Sequence, residues 1–112
     1  MHMIEAVIKP SALDEVKGRL TDLGLLGCTA LECKGFGRQK GHTERYRGGR
    51  MDVGFVPKVL LKIAVKPEDL AQAIEAITQA ARTGEVGDGK IFVYELANVV
   101  RIRTGETDLA AL

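Results

Sequence analysis

Three segments of the sequence concentrate the residue types that can do chemistry. Two set glycines beside basic side chains: Gly35-Phe36-Gly37-Arg38-Gln39-Lys40 and Thr83-Gly84-Glu85-Val86-Gly87-Asp88-Gly89-Lys90. The third is Arg101-Ile102-Arg103. Glycine lets a backbone adopt φ > 0 and turn successive N–H groups toward an anion, and a neighbouring lysine adds a point charge. Arginine suits phosphate because its planar fork can hold two oxygens at once. Read as an extended segment, Arg101 and Arg103 fall on one face. Two like charges side by side are favourable only with an anion between them, or as the charged guard of an edge strand. Gln39 can offer an amide oxygen to a metal ion, and Lys58 stands at the far end of the loop that Gly37 begins.

Residues 84 to 90 also satisfy the G-x-x-x-x-G-K core of a P-loop. The next residue is Ile91, so the Mg²⁺-binding hydroxyl is missing. The motif also lies between a helix and a strand, the reverse of the strand–loop–helix order that a P-loop requires. An anion-binding turn survives as one reading, and a tight helix-to-strand turn with a surface lysine as the other. No catalytic set accompanies these segments. The single serine, Ser11, stands where a helix cap is needed, no Cys/His pair has useful spacing, and Asp88 and Glu85 adjoin lysine and glycine rather than an apolar pocket. The pattern therefore favours a polyphosphate sensor over an enzyme.

The elements that must position these segments follow from periodicity. Ile4, Ala6 and Ile8 alternate with Met3, Glu5 and Val7, a strand over residues 1–9 that Pro10 ends. Ser11 with Asp14 reads as an N-cap, and Leu13, Val16, Leu20 and Leu23 as the apolar stripe of a helix closed by Gly24. Residues 25–34 form a second strand. Val59, Leu61, Ile63 and Val65 alternate with Leu60, Lys62 and Ala64 in a third. Pro67 opens a second helix with Glu68 and Asp69 at its N-terminus, where negative charge is favourable. Its stripe is Leu70, Ile74, Ile77 and Ala81, with Arg82 at its end and Gly84 closing it. Residues 91–96 form a fourth strand, 99–103 a short extended segment, and the tail beyond is frayed or wraps a neighbour.

This order, β-α-β-β-α-β, with right-handed crossovers, predicts an α+β, ferredoxin-like sandwich with both helices on one face of an antiparallel sheet. The other face, with Val7, Leu60 and Ala64, is too apolar for water, so a homo-oligomer is expected. The 112 residues make one domain, 1–112, with a loop of about residues 37–57 between the second and third strands. That window holds five of the thirteen glycines, and sets Arg38, Lys40, Arg45, Arg47 and Arg50 against Glu44 and Asp52. A long connection without a pattern of its own is generally functional or disordered.

Composition bounds the rest. With 46% hydrophobic and 28% charged residues and a net charge of +1, the chain is an ordinary globular domain without the bulk charge of a nucleic-acid or membrane binder. No apolar run is long enough to span a membrane, and MHMIEAVIKP has no signal-peptide core, so a cytoplasmic location is expected. Cys28 and Cys33, five apart on one strand, point to opposite faces, which argues against a disulfide between them. An RNA-binding ferredoxin-like module using the basic loop is the alternative, but the central strands lack the aromatic pairs that stack bases.

At these residues the chain resembles a known family. KGFGRQKGHTERYRGG, TGEVGDGKIFVYEL, RIRTGE and the N-terminal IxxVIKPxxLDEV pattern are similar to those of the PII nitrogen-regulatory signal-transduction proteins, and the likeness runs from Met1 to Leu112. The resemblance implies a compact homotrimer with three inter-subunit clefts in which ATP and ADP compete, and in which 2-oxoglutarate joins Mg²⁺-ATP. It implies that Gly37, Arg38, Gly87, Asp88, Gly89 and Lys90 of one subunit grip the phosphates, with Gly35 also at the nucleotide site and Arg101 and Arg103 reaching in from the next subunit. Thr29, Lys62, Ile63 and Ala64 would hold the adenine. Gln39 would complete the Mg²⁺ shell and contact 2-oxoglutarate with Lys40, Lys58 and Gly87. The long segment would be a T-loop that partners read, such as nitrogen-metabolism enzymes, transcription regulators or an ammonium transporter. Tyr46, Arg47 and Gly48 would make that contact. Many relatives carry a nucleotidylylated tyrosine at the position of Met51 and others a modified serine at that of Gly49; neither hydroxyl is present here, so control by ligands alone is expected.

Overall fold

The computed structural model describes residues 1–36, 45–46, 49–50 and 54–112. Strand β1 (His2–Ile8) leads through a short 3-10 turn (Pro10–Ala12) into helix α1 (Leu13–Asp22). Strand β2 (Cys28–Gly35) follows, then two short strands, β3 (Arg45–Tyr46) and β4 (Gly49–Arg50), and the long β5 (Val56–Val65). A second 3-10 turn (Pro67–Asp69), helix α2 (Leu70–Ala81) and strand β6 (Gly89–Glu95) complete the frame. The main sheet is antiparallel in the order β2-β5-β1-β6. This is the ferredoxin-like sandwich that the alternation predicts.

The alternation decides which face is covered. Ile4, Ala6 and Ile8 of β1 stand opposite Ile63, Leu61 and Val59 of β5, and all six are buried. Val16 and Leu20 of α1 and Ala73, Ile77 and Ala81 of α2 pack on them in one core. Leu23, expected in that stripe, is exposed because it falls at the C-cap, where the helix ends. Gly24 does close α1: with φ +80° it donates to the Thr21 carbonyl at 2.8 Å, while Leu25 N–H reaches the Leu20 carbonyl at 2.9 Å. These two bonds satisfy two of the carbonyls in the last turn of the helix.

Four local expectations change. Ser11 caps nothing, because Pro10 starts a 3-10 turn in which Ala12 N–H bonds the Lys9 carbonyl at 3.0 Å. The same Lys-Pro device opens α2, where Asp69 N–H bonds the Lys66 carbonyl at 3.0 Å. Gly84 does not close α2, since the helix stops at Ala81 and Arg82 is already extended. Residues 99–103 are not a strand. The chain turns there, Gly105 N–H bonding the Arg101 carbonyl at 2.7 Å, and only Val100 makes a bridge, to Thr107. The tail is not frayed. It folds back on residues 99–101 and ends in a 3-10 turn (Asp108–Ala111), because its backbone groups find partners there.

The second sheet face carries three rows across the strands: Lys90–Val7–Leu60–Leu31, Phe92–Glu5–Lys62–Thr29 and Tyr94–Met3–Ala64. No element of the chain covers it among the described residues. Glu5 at its centre pairs with Lys62 at 3.5 Å and accepts a hydrogen bond from the Tyr94 hydroxyl at 2.8 Å. That bond to Glu5 holds the Tyr94 phenol above its ordinary pKa.

Candidate functional site

Two strand ends and one turn meet at the best-defined polar feature of the structure. β2 ends at Gly35, opposite Val56 at the start of β5, and Lys58 lies two residues further along β5. A Cβ on Gly35 would stand 2.9 Å from Lys58 Cγ, so the bare glycine lets the lysine stem cross the strand end. Lys58 is only 7% exposed, and it is the one buried charged residue among those described. Its Nζ donates to the Gly87 carbonyl at 2.6 Å, which ties the base of the long loop to the glycine-rich turn. Phe36 and Phe55 pack across the same base with ring centroids 5.7 Å apart.

The turn itself is closed by Asp88. Its carboxylate accepts from Thr83 N–H at 2.7 Å, the Thr83 hydroxyl at 2.5 Å and Gly84 N–H at 2.8 Å, and pairs with Lys9 Nζ at 3.3 Å. The Thr83 hydroxyl, more than any other group, holds this carboxyl well below the usual carboxylate range. Partial burial opposes the effect, while the Thr83 and Gly84 N–H groups and Lys9 add to it. Gly84, Gly87 and Gly89 have φ of +88°, +103° and +109°, a geometry that side-chain-bearing residues rarely adopt. A Cβ at Gly89 would also collide with the Val7 carbonyl oxygen, so glycine there is what allows β6 to start beside β1. Asp88 thus shapes the turn from inside. Lys90 is exposed, in the row of Val7 on the uncovered face.

The residues expected around an adenine separate into two groups. Thr29, Lys62 and Ala64 come together on the uncovered face, where they line a hollow of about 500 Å³ with Leu31 and Leu60. Ile63 does not join them: its side chain is buried toward the helices, as alternation along β5 requires. Arg101 and Arg103 do not share one face of a strand, because the chain turns between them. Arg103 is exposed. Arg101 Nη1 pairs with Glu106 at 2.8 Å, and no hydrogen bond or ion pair joins either arginine to the glycine turn among the described residues. Gly37, Arg38, Gln39, Lys40, Arg47, Gly48 and Met51 lie outside the described residues, and of Tyr46 only the backbone is described, paired with Gly49.

Sequence patterning missed Thr83, Lys9, Glu5 and Glu106. Thr83 had a signal, a hydroxyl five residues before an aspartate with glycines between. Lys9 and Glu5 had none, because their partners Asp88, Lys62 and Tyr94 are distant in sequence and meet them only through the sheet register. Among the described residues no three His, Cys, Asp or Glu side chains gather to hold a metal ion. Among the described residues no helix is long and apolar enough to cross a membrane.

Known proteins resemble this chain along its length. The family model described as "Nitrogen regulatory protein P-II" matches residues 1–106. The chain is 55% identical to the nitrogen regulatory protein P-II of Rhizobium etli over 112 residues, all of both chains. It is 58% identical to that of Rhodospirillum rubrum over 106 residues, 95% of each. It is 51% identical to nitrogen regulatory protein P-II 1 of Escherichia coli K12 over 112 residues, again all of both. These relatives are regulators by name, and the match reaches from β1 through the glycine turn to Glu106. A ferredoxin-like sheet with a lysine-braced glycine turn, matched along its whole length by such regulators, belongs to the P-II family of nitrogen regulatory proteins.

Proposed function

We propose that this chain is a cytoplasmic, homotrimeric sensor of ATP, ADP and 2-oxoglutarate that regulates nitrogen-metabolism targets through its long loop, without nucleotidylylation. The observation that carries the proposal is Lys58. A buried ammonium with a single carbonyl acceptor among the described residues is costly unless an anion completes its shell. It sits where the loop base meets a turn whose glycines can direct N–H groups outward. A dicarboxylate at the loop base and a polyphosphate along the turn satisfy both.

In this reading Gly35, Gly37, Arg38, Gly87, Gly89 and Lys90 hold the phosphates, with Asp88 fixing the turn. Arg101 and Arg103 come from a second subunit, which agrees with the absence, among the described residues, of bonds from them to the turn of their own chain. Thr29, Lys62 and Ala64 offer the adenine a hydroxyl, a cation and a flat apolar floor. No described carboxylate cluster holds Mg²⁺, so the ion enters with the nucleotide phosphates and takes Gln39 as its protein ligand. Gln39, Lys40, Lys58 and Gly87 hold 2-oxoglutarate. Each ligand favours a different arrangement of the loop through contacts at its base, and partners such as an ammonium transporter or a metabolic enzyme read the result at Tyr46, Arg47 and Gly48. The chemistry is binding, so no catalytic residue is assigned. The RNA-binding alternative gains no support, because β1 and β5 present no aromatic ring on the uncovered face.

Calorimetric titration of 2-oxoglutarate with and without Mg²⁺-ATP tests the proposal. Binding is expected only with nucleotide present, is lost in Gln39→Ala and Lys58→Ala, and survives in Arg47→Ala. Equal binding without nucleotide would sink it.

A further inference from the structure

The fold-back of residues 99–112 occupies one of the two arginines assigned to phosphate. Arg101 N–H bonds the Glu106 carbonyl at 2.9 Å and Asp108 N–H the Val99 carbonyl at 2.7 Å, so the two limbs are held side by side. Within this frame Arg101 Nη1 donates to Glu106 Oε1 at 2.8 Å. Arg101 Nη2 lies 3.3 Å from the Ala111 carbonyl oxygen and 3.4 Å from that of Leu112. Glu106 is itself aimed: its Oε1 accepts from the Thr104 hydroxyl at 2.8 Å, and its N–H donates to that oxygen at 3.2 Å.

Arginine grips phosphate through two parallel N–H groups on one edge of the guanidinium. Here both terminal nitrogens already have partners, a carboxylate oxygen on Nη1 and carbonyl oxygens on Nη2. A phosphate gripped by these nitrogens would meet the Glu106 charge at close range. We infer that Glu106 is an internal competitor for the anion that Arg101 binds: the fold-back holds the guanidinium while the site is empty and yields it when phosphate arrives. The inference deepens the nucleotide reading above and rests on it. Arg101 and Glu106 side chains are 37% and 44% exposed, so the pair is weak enough for a ligand to displace. Thr104 keeps the competitor in place without adding charge.

Calorimetric titration with ATP, using the full chain, tests this. Glu106→Gln keeps the shape and an acceptor but removes the charge, and it is expected to bind ATP about two- to fivefold more tightly than wild type. Glu106→Ala is expected to change in the same direction. In an Arg101→Gln background the second substitution is expected to have no effect, because the competition acts only through Arg101. Unchanged or weaker binding by Glu106→Gln, or an equal gain with Arg101 removed, would overturn the competition and leave the nucleotide reading standing. If wild type binds no ATP, both fall.

Discussion

Two glycines illustrate how one residue type carries opposite consequences. Gly89 has φ +109° and no room beside the Val7 carbonyl. Gly89→Ala is therefore expected to cost at least about 2 kcal/mol in urea unfolding, from backbone strain alone before the collision is counted. Gly18 lies inside α1 with nothing within 4 Å of where a Cβ would stand. Gly18→Ala is expected to stabilise by about 0.5–1 kcal/mol, because glycine inside a helix loses more backbone freedom on folding. A destabilised Gly18→Ala would mean that its helix surface is not free.

Asp88 carries the pH dependence at this scale. Its folded pKa lies below its ordinary 3.8, chiefly through the Thr83 hydroxyl. A depressed carboxylate stabilises the fold fully above its unfolded pKa, and that contribution is lost as pH falls through the folded value. Wild-type stability is thus expected to decline below about pH 4. In Asp88→Asn it should be lower at pH 7 and fall less steeply in acid. Urea midpoints across pH 2–7 measure this, and equal acid slopes in the two proteins would show that the Asp88 carboxylate does not hold the turn.

At the scale of elements, α2 and the loop base depend on different forces. Ile77 is fully buried between α2 and the sheet, so Ile77→Ala is expected to cost about 3 kcal/mol through lost transfer energy and a cavity. Ala73, beside it on the same helix, is just as buried but was not in the predicted stripe. With Ala71, Ala76, Ala80 and Ala81 also present, residue type alone does not mark Ala73 as the one facing the sheet, although its size is what lets the helix sit close. The loop base rests instead on one aromatic pair and one lysine. Losing Phe55 to alanine is expected to leave the unfolding free energy within about 1 kcal/mol of wild type, since the residue is 67% exposed. Weakened 2-oxoglutarate binding with unchanged stability would place that pair in the site rather than in the core.

For the whole molecule the deciding feature is the uncovered sheet face. Leu31, Phe92 and Tyr94 are 45%, 50% and 43% exposed there, in rows with Val7, Leu60 and Ala64. Contiguous apolar surface of this kind marks an interaction site. Sedimentation is expected to give a trimer for wild type and a smaller species for Phe92→Asp, which puts a charge among those rings. A monomeric wild type would leave the face without its expected cover, and would also separate Arg101 and Arg103 from the turn.

Much of this was legible from residues. Alternation at Ile4, Ala6 and Ile8 and at Val59 to Val65 names the core face, because a strand's period of two leaves no choice once one face is buried. Lys58 and the three left-handed glycines were also visible as residue types. What local pattern could not supply was any contact made across the sheet. Asp88 reads as a ligand beside Lys90, yet it lies inside its turn, paired with Lys9, which follows the end of β1. Ile63 reads as one of three neighbours, yet alternation turns it into the core. Arg101 and Arg103 read as one extended face, yet backbone bonds to Glu106 and Asp108 fold that segment back. Sequence determined which residues could bind an anion and on which strand face the core would lie, because period and residue type are local properties. Only the tertiary structure decided which charges were already engaged, because an ion pair depends on distance in space and not on separation along the chain.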